Sequence, residues 1–219
     1  MNLTTLTSLC SSMANDKDQT KFSGLYTQAI NLAQQQFSFD SKCCFADNTI
    51  TVVSGQSQYS LPTDFWLEKK VTHKGLRLAP ISRETLEFYI RTVDWTTVKG
   101  TPTEYDIDPE EAAKKLTLIP QPGDGDIGAN CILTYYFVPG DMSAGTDLPF
   151  NSYALLAPYH IAIAEWAAWL LLGYDTATPE NIAKKKELLQ MYNDKVSEAV
   201  DNFANTASEP LRMRGGRYF

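Results

Sequence analysis

His73, His160 and Glu165 are the side chains best suited to moving a proton in this 219-residue chain. Histidine is the side chain that titrates near neutral pH. His160 precedes Glu165 by five positions, whereas a zinc-binding helix needs two histidines four apart. No Gly-x-Ser-x-Gly elbow supplies a nucleophile. An enzyme built on Glu165 and His160 would need both to face one solvent-accessible pocket. His73 stands in a charged, hairpin-like stretch, where a solvated surface position is expected. Asp124 and Asp126 alternate within Gly123–Gly128 as in a cation loop, but the bidentate glutamate downstream is missing. A turn between strands accounts for the same residues. No glycine pattern joins a strand to a helix as a phosphate or dinucleotide loop does. Cys10, Cys43, Cys44 and Cys131 lack zinc spacing, and the adjacent pair cannot bridge without strain. These thiols read as reduced and cytosolic. No catalytic residue, metal or cofactor is assigned.

The last residues carry chemistry of another kind. Leu211, Arg212, Met213, Arg214, Arg217, Tyr218 and Phe219 interleave arginine with large apolar side chains, a mixture enriched where buried contacts form. Such a peptide has no core of its own and reads as an arm that orders on a partner. Arginine pairs bidentately with carboxylates, so an acidic neighbouring subunit suits it. Arg212, Arg214 and Arg217 against Glu209 give residues 206–219 a balance of +2, so residues 1–205 hold −9 of the net −7. An acidic body does not bind nucleic acid by neutralising phosphates.

The elements that must present this arm are helical at both ends of the chain. Leu3, Leu6, Leu9 or Cys10, and Met13 fall at helical spacing, and Asn15–Thr20 interrupts them. Phe22, Tyr26, Ala29/Ile30, Ala33 and Phe37 predict a second helix from about Ser23 to Phe37. Tyr153–Tyr174 contains only His160 and Glu165 as ionisable groups besides tyrosine. Its length would span a bilayer, which takes about 20 apolar residues. Yet Glu165 near its middle costs roughly 2.5–3.5 kcal/mol there, so a helix buried in its own fold is expected and no membrane. In it, Ile163, Trp166, Trp169 and Leu170 read as core, and Pro158 as a kink or the true first turn. Thr178-Pro179-Glu180 starts a final helix running toward Asn205. There Ile182, Leu189, Val196 and Phe203 recur every seven positions, as a seam against the preceding helix, with Lys184–Lys186 a solvated face. The N-terminus lacks the basic start and apolar run of a signal peptide.

The middle reads as strands. Thr49–Val53 and Gln58–Leu61 look like a hairpin about Ser54-Gly55-Gln56. Leu67–His73 and Leu76–Leu78 flank Lys74-Gly75. Ser82–Trp95 has helical spacing with Ser82 as its cap. Lys115–Ile119 and Cys131–Val138 are the clearest strands, joined by the loop Gln121–Asn130. The expected class is α+β: a helical bundle from the N- and C-terminal helices (residues 1–46 and 151–205), an antiparallel β-rich insertion (47–150) and an extended C-terminal docking arm (206–219).

The order of segments resembles the head-to-tail adaptor, or connector, proteins of tailed bacteriophages. The residues carrying the resemblance are Thr49–Val53 with Gly55-Gln56, then Tyr59-Ser-Leu-Pro-Thr-Asp-Phe65 and Gly100-Thr-Pro-Thr-Glu-Tyr105. Leu116-Thr-Leu-Ile-Pro-Gln-Pro122, Leu133-Thr-Tyr-Tyr-Phe-Val-Pro139 and the alanine-rich helix after Asp147-Leu-Pro149 follow. The resemblance implies a structural protein of the virion neck, assembled in the host cytoplasm into a ring, commonly of twelve subunits. The C-terminal arm would meet the portal protein, tail or tail-tube proteins would sit on the other side, and genomic DNA would pass through without specific binding. The alternatives are another neck or tail component (a head-completion stopper or tail-tube subunit) and, further off, a hydrolytic enzyme.

Overall fold

A short polar cap and an apolar stripe at helical spacing begin the chain in the computed structural model. It describes residues 1–82, 85, 98–107, 114–175 and 178–206. The chain divides into two compact units, Met1–Cys44 with Pro139–Phe219, and Phe45–Val138.

In the first unit, α1 (Leu3–Met13) starts where Asn2 Oδ1 accepts the Thr5 N–H at 2.9 Å. Leu3, Leu6 and Cys10 are its buried stripe. The second helix, α2 (Tyr26–Ser41), buries Ala29, Ile30, Ala33 and Phe37 and ends at Lys42 in the left-handed region. Two 3-10 turns, Phe150–Ser152 and Ala154–Tyr159, precede α3 (His160–Leu172), so Pro158 lies in the lead-in and not in the helix. The last helix, α4 (Pro179–Thr206), begins where Thr178 Oγ1 accepts the Asn181 N–H at 3.3 Å. Helix α3 packs against α1, α2 and α4, and its alanines 162, 164, 167 and 168 are all buried. Beside it, the Phe37 ring meets Phe150, Tyr159 and Tyr192 at centroid distances of 5.4, 6.0 and 6.3 Å. The span Ala154–Leu172 is long and apolar enough to cross a membrane by length and composition alone, and 61% of it is buried within the fold.

Three expectations about these helices need correction. Trp166 and Trp169 are half-buried, their rings 5.5 Å apart with Lys185 over Trp169; the short alanines take the core face instead. The seam of α4 is Asn181, Leu188, Tyr192 and Ala199. Ile182, Leu189, Val196 and Phe203 are rotated off it, with Ile182 48% exposed. Tyr192 decides that register: its ring enters the aromatic cluster and its hydroxyl donates to Asp40 Oδ2 at 2.7 Å. Lys184–Lys186 is only partly a solvated face, since Lys184 Nζ donates to Asn15 Oδ1 and Lys185 covers Trp169.

In the second unit one sheet has the order β1 (Phe45–Thr51), β10 (Asn130–Phe137), β3 (Phe65–His73), β4 (Leu76–Arg77), all antiparallel. A second has the order β2 (Gln58–Ser60), β8 (Lys115–Ile119), β7 (Glu104–Ile107), β5 (Ala79–Pro80). Its β5–β7 pairing is parallel, as is that of β6 (Lys99–Gly100) with β9 (Gln121–Pro122), so the insertion is not wholly antiparallel. Lys74 and Gly75 both have positive φ, 50° and 78°, which suits the tight turn between β3 and β4.

Thr49–Val53 and Gln58–Leu61 do not form a hairpin. The turn exists, with Gln56 N–H donating to Val53 O at 3.2 Å, but the flanking ladders diverge. Val52 N–H goes to Ala129 O, extending the β1–β10 ladder, while β2 pairs with β8. Tyr59 fixes the crossing: its hydroxyl accepts the Val53 N–H at 3.1 Å and donates to Gln56 O at 2.9 Å. The helix expected over Ser82–Trp95 lies outside the described residues, apart from its cap: Ser82 Oγ accepts the Thr85 N–H at 3.3 Å.

Candidate functional site

Buried polar groups hold the helical unit's connecting loop. Residues 139–150, grouped above with the insertion, belong to the helical unit. Asn31 and Gln34, one turn apart on α2, clamp this loop. Asn31 donates to Met142 O and accepts the Met142 N–H, both at 3.0 Å. Gln34 donates to Gly140 O at 2.8 Å and accepts the Phe150 N–H at 3.2 Å. The start of α1 adds two backbone bonds, Leu3 N–H to Asp147 O and Thr4 N–H to Gly145 O. An open cleft of 360 Å³ runs along the loop, lined by Asp141, Met142, Asp147, Leu148 and Asn151 among others. Asp147 is held as a carboxylate below its usual range by the Ser143 and Ala144 N–H groups. Phe150, Asn151 and Ser152 all have positive φ, a costly run for non-glycine residues.

Asp16 performs a similar task between α1 and α2. Its carboxylate accepts N–H groups from Thr20, Lys21 and Phe22 and the Tyr26 hydroxyl at 2.6 Å. Burial pushes its pKa up, but these donors outweigh that and the net direction is down. The sequence marked this stretch only as a break.

Neither histidine is solvated. His73 is 1% exposed, and its Nε2 donates to Asp126 Oδ1 at 3.1 Å, where Lys74 Nζ also binds at 2.7 Å. The expected surface position is therefore wrong: the glycine-rich loop folds Asp126 over the β3–β4 turn. Burial raises the Asp126 carboxyl, the Lys74 and His73 contacts lower it further, and it stays ionised. Both of its partners are protein donors, which is a turn's architecture. Among the described residues no group of three or more His, Cys, Asp or Glu side chains is placed to hold a metal.

His160 is 5% exposed, with Nδ1 2.8 Å from the Met1 amine, and Glu165 is 1% exposed. Burial, then the charge of that amine, lowers the His160 pKa from 6.5 to about 4. Burial raises that of Glu165, against the attraction of Lys195. Neither lines the cleft, so the structure does not bring them together at an open pocket. All four cysteines are free and buried; burial pushes Cys10 and Cys44 up to about 12 and Cys131 to about 11, so these thiols are neutral.

The docking residues Leu211, Arg212, Met213, Arg214, Arg217, Tyr218 and Phe219 lie outside the described residues. The described part of the chain ends before them, with α4 running to Thr206.

No curated protein matches this sequence. The family described as SU10 adaptor protein matches residues 1–214, nearly the whole chain, including both helical ends, the β-rich middle and the first part of the arm. The resemblance to phage adaptors drawn from segment order agrees with this match. The match covers more than half of the chain and supports a phage structural adaptor: the chain belongs to the SU10 adaptor protein family.

Proposed function

We propose that this protein is the head-to-tail adaptor of a tailed phage, forming an oligomeric ring of about twelve copies between portal and tail. The helices of residues 1–46 and 151–205 act as one bundle that carries the ring contacts, and DNA passes through the channel without specific binding. The C-terminal arm docks on the portal protein, with Arg212, Arg214 and Arg217 against carboxylates and Leu211, Met213, Tyr218 and Phe219 filling apolar recesses. Tail or tail-tube proteins complete the other side. The family match over residues 1–214 carries this reading.

The electrostatics support it. With −9 on residues 1–205 and +2 beyond, the body repels phosphate while the arm seeks acidic protein. Removing residues 206–219 should leave the far-ultraviolet circular dichroism of the folded subunit in place and abolish binding to portal protein in a pull-down or by interferometry. Unchanged affinity would falsify the role of the arm.

A further inference from the structure

An acidic protein should scatter charges over any face that water keeps. Yet no Asp, Glu, Lys or Arg occurs in residues 1–15 or 22–39, which hold α1 and all of α2 but its last two residues, Asp40 and Ser41. Both helices nevertheless have outward residues: Thr4, Thr5 and Ser8 on α1, and Gln28 and Leu32 on α2, with Leu25 at its N-cap. Leu25 and Leu32, seven apart, are 40% and 43% exposed. Depletion of charge with retained apolar side chains is the composition of an interface centre.

The complement lies on α4. The seven-residue repeat left off its seam, joined by Val200 one turn after Val196, forms a second apolar line, with Ile182 and Val200 exposed and Leu189 and Val196 half-buried. From Ile182 to Val200 the line runs about 27 Å, longer than either neutral helix at 11 and 16 residues. Within one copy α2 and α4 meet through Phe37, Asp40 and Tyr192. That contact leaves Leu25, Leu32, Ile182 and Val200 outside it.

We propose that the neutral α1–α2 face of one copy receives the apolar flank of α4 from a second copy. A face without charge offers nothing to a strongly charged partner; its complement is an apolar line of matching period, and this chain carries one. Because the two halves are different surfaces, the contact is head-to-tail, the kind that continues from copy to copy and closes into a ring when the rotation allows. This inference rests on the ring proposed above and names its contact, while portal binding through the arm is measured separately and stands or falls alone.

The test uses the full chain with Leu32→Glu, which spoils only the α2 face, and Val200→Glu, which spoils only the α4 line. Both side chains are well exposed, so thermal melting monitored by circular dichroism should match wild type in each. In sedimentation velocity the wild type should self-associate, and each variant alone should lose that association by tenfold or more. An equimolar mixture should recover a 1:1 dimer and nothing larger, since one variant keeps an intact α4 line and the other an intact α2 face. Glu198→Lys, on the charged side of α4, should assemble like wild type. A monomeric wild type, a variant that assembles normally, or a mixture that stays monomeric would each overturn the proposal.

Discussion

His160 makes the helical unit sensitive to mild acid by an amount the structure sets. Its pKa falls from 6.5 to about 4 on folding, through burial and then the nearby Met1 ammonium. A folded pKa below the unfolded one means the unfolded chain binds the extra proton between these values. The contribution of His160 is therefore fully present above about pH 6.5, declines as pH falls, and is gone below about pH 4. At pH 5 the two populations differ by about 1.5 powers of ten, or about 2 kcal/mol, nearly all of it acquired below pH 7. Glu165 acts in the opposite sense, because its raised pKa disfavours the folded state as pH rises past the normal carboxylate value. Comparing wild type with His160→Asn, which does not titrate, removes that shared background. Urea unfolding at pH 7 and pH 5, followed by circular dichroism, should show wild type losing about 2 kcal/mol more than the variant. Parallel losses would mean that the folded imidazole already accepts a proton from water, and the reasoning from its burial would be wrong.

Phe37→Ala should be more damaging than any surface change, since the ring is fully buried against Phe150, Tyr159 and Tyr192; a loss of about 3–5 kcal/mol is expected in urea unfolding, and a loss below about 1 kcal/mol would show that the cluster closes over the gap. Asp16→Ala strips acceptors from three backbone N–H groups and the Tyr26 hydroxyl; it should lower the melting temperature and speed amide exchange at Thr20, Lys21 and Phe22, and unchanged exchange there would refute the staple.

Periodicity made α1, α2 and α4 legible, and local caps mark the starts of two of them, Asn2 for α1 and Thr178 for α4, while α2 and α3 have no side-chain cap. It misplaced the seam of α4, where two apolar lines compete and only the position of Tyr192 in a distant aromatic cluster decides between them. Strand existence was readable from β-branched runs, but pairing was not. The partner of Thr49–Thr51 lies some 80 residues on, and nothing local to the Ser54-Gly55-Gln56 turn names it. His73 looked solvated because its flanking charges are visible and Asp126 is remote in sequence. Asn31 and Gln34 interrupt an apolar stripe one turn apart, a signal for buried amides that would have found the loop clamp. The arm's composition suggested docking from residue types alone, and residues 207–219 lie outside the described residues.

The helical unit is assembled from both ends of the polypeptide, and this orders events during synthesis. Helices α1 and α2 emerge first, but α3, the element both pack against, follows more than a hundred residues later. All of Phe45–Val138 is translated in between, so the β-rich unit has its complete sequence while the first helices still wait for theirs. Through that interval a pair of amphipathic segments with a single charge, Asp40, stays uncovered on the ribosome, and a nascent chain paused before His160 should be the species most avidly held by chaperones.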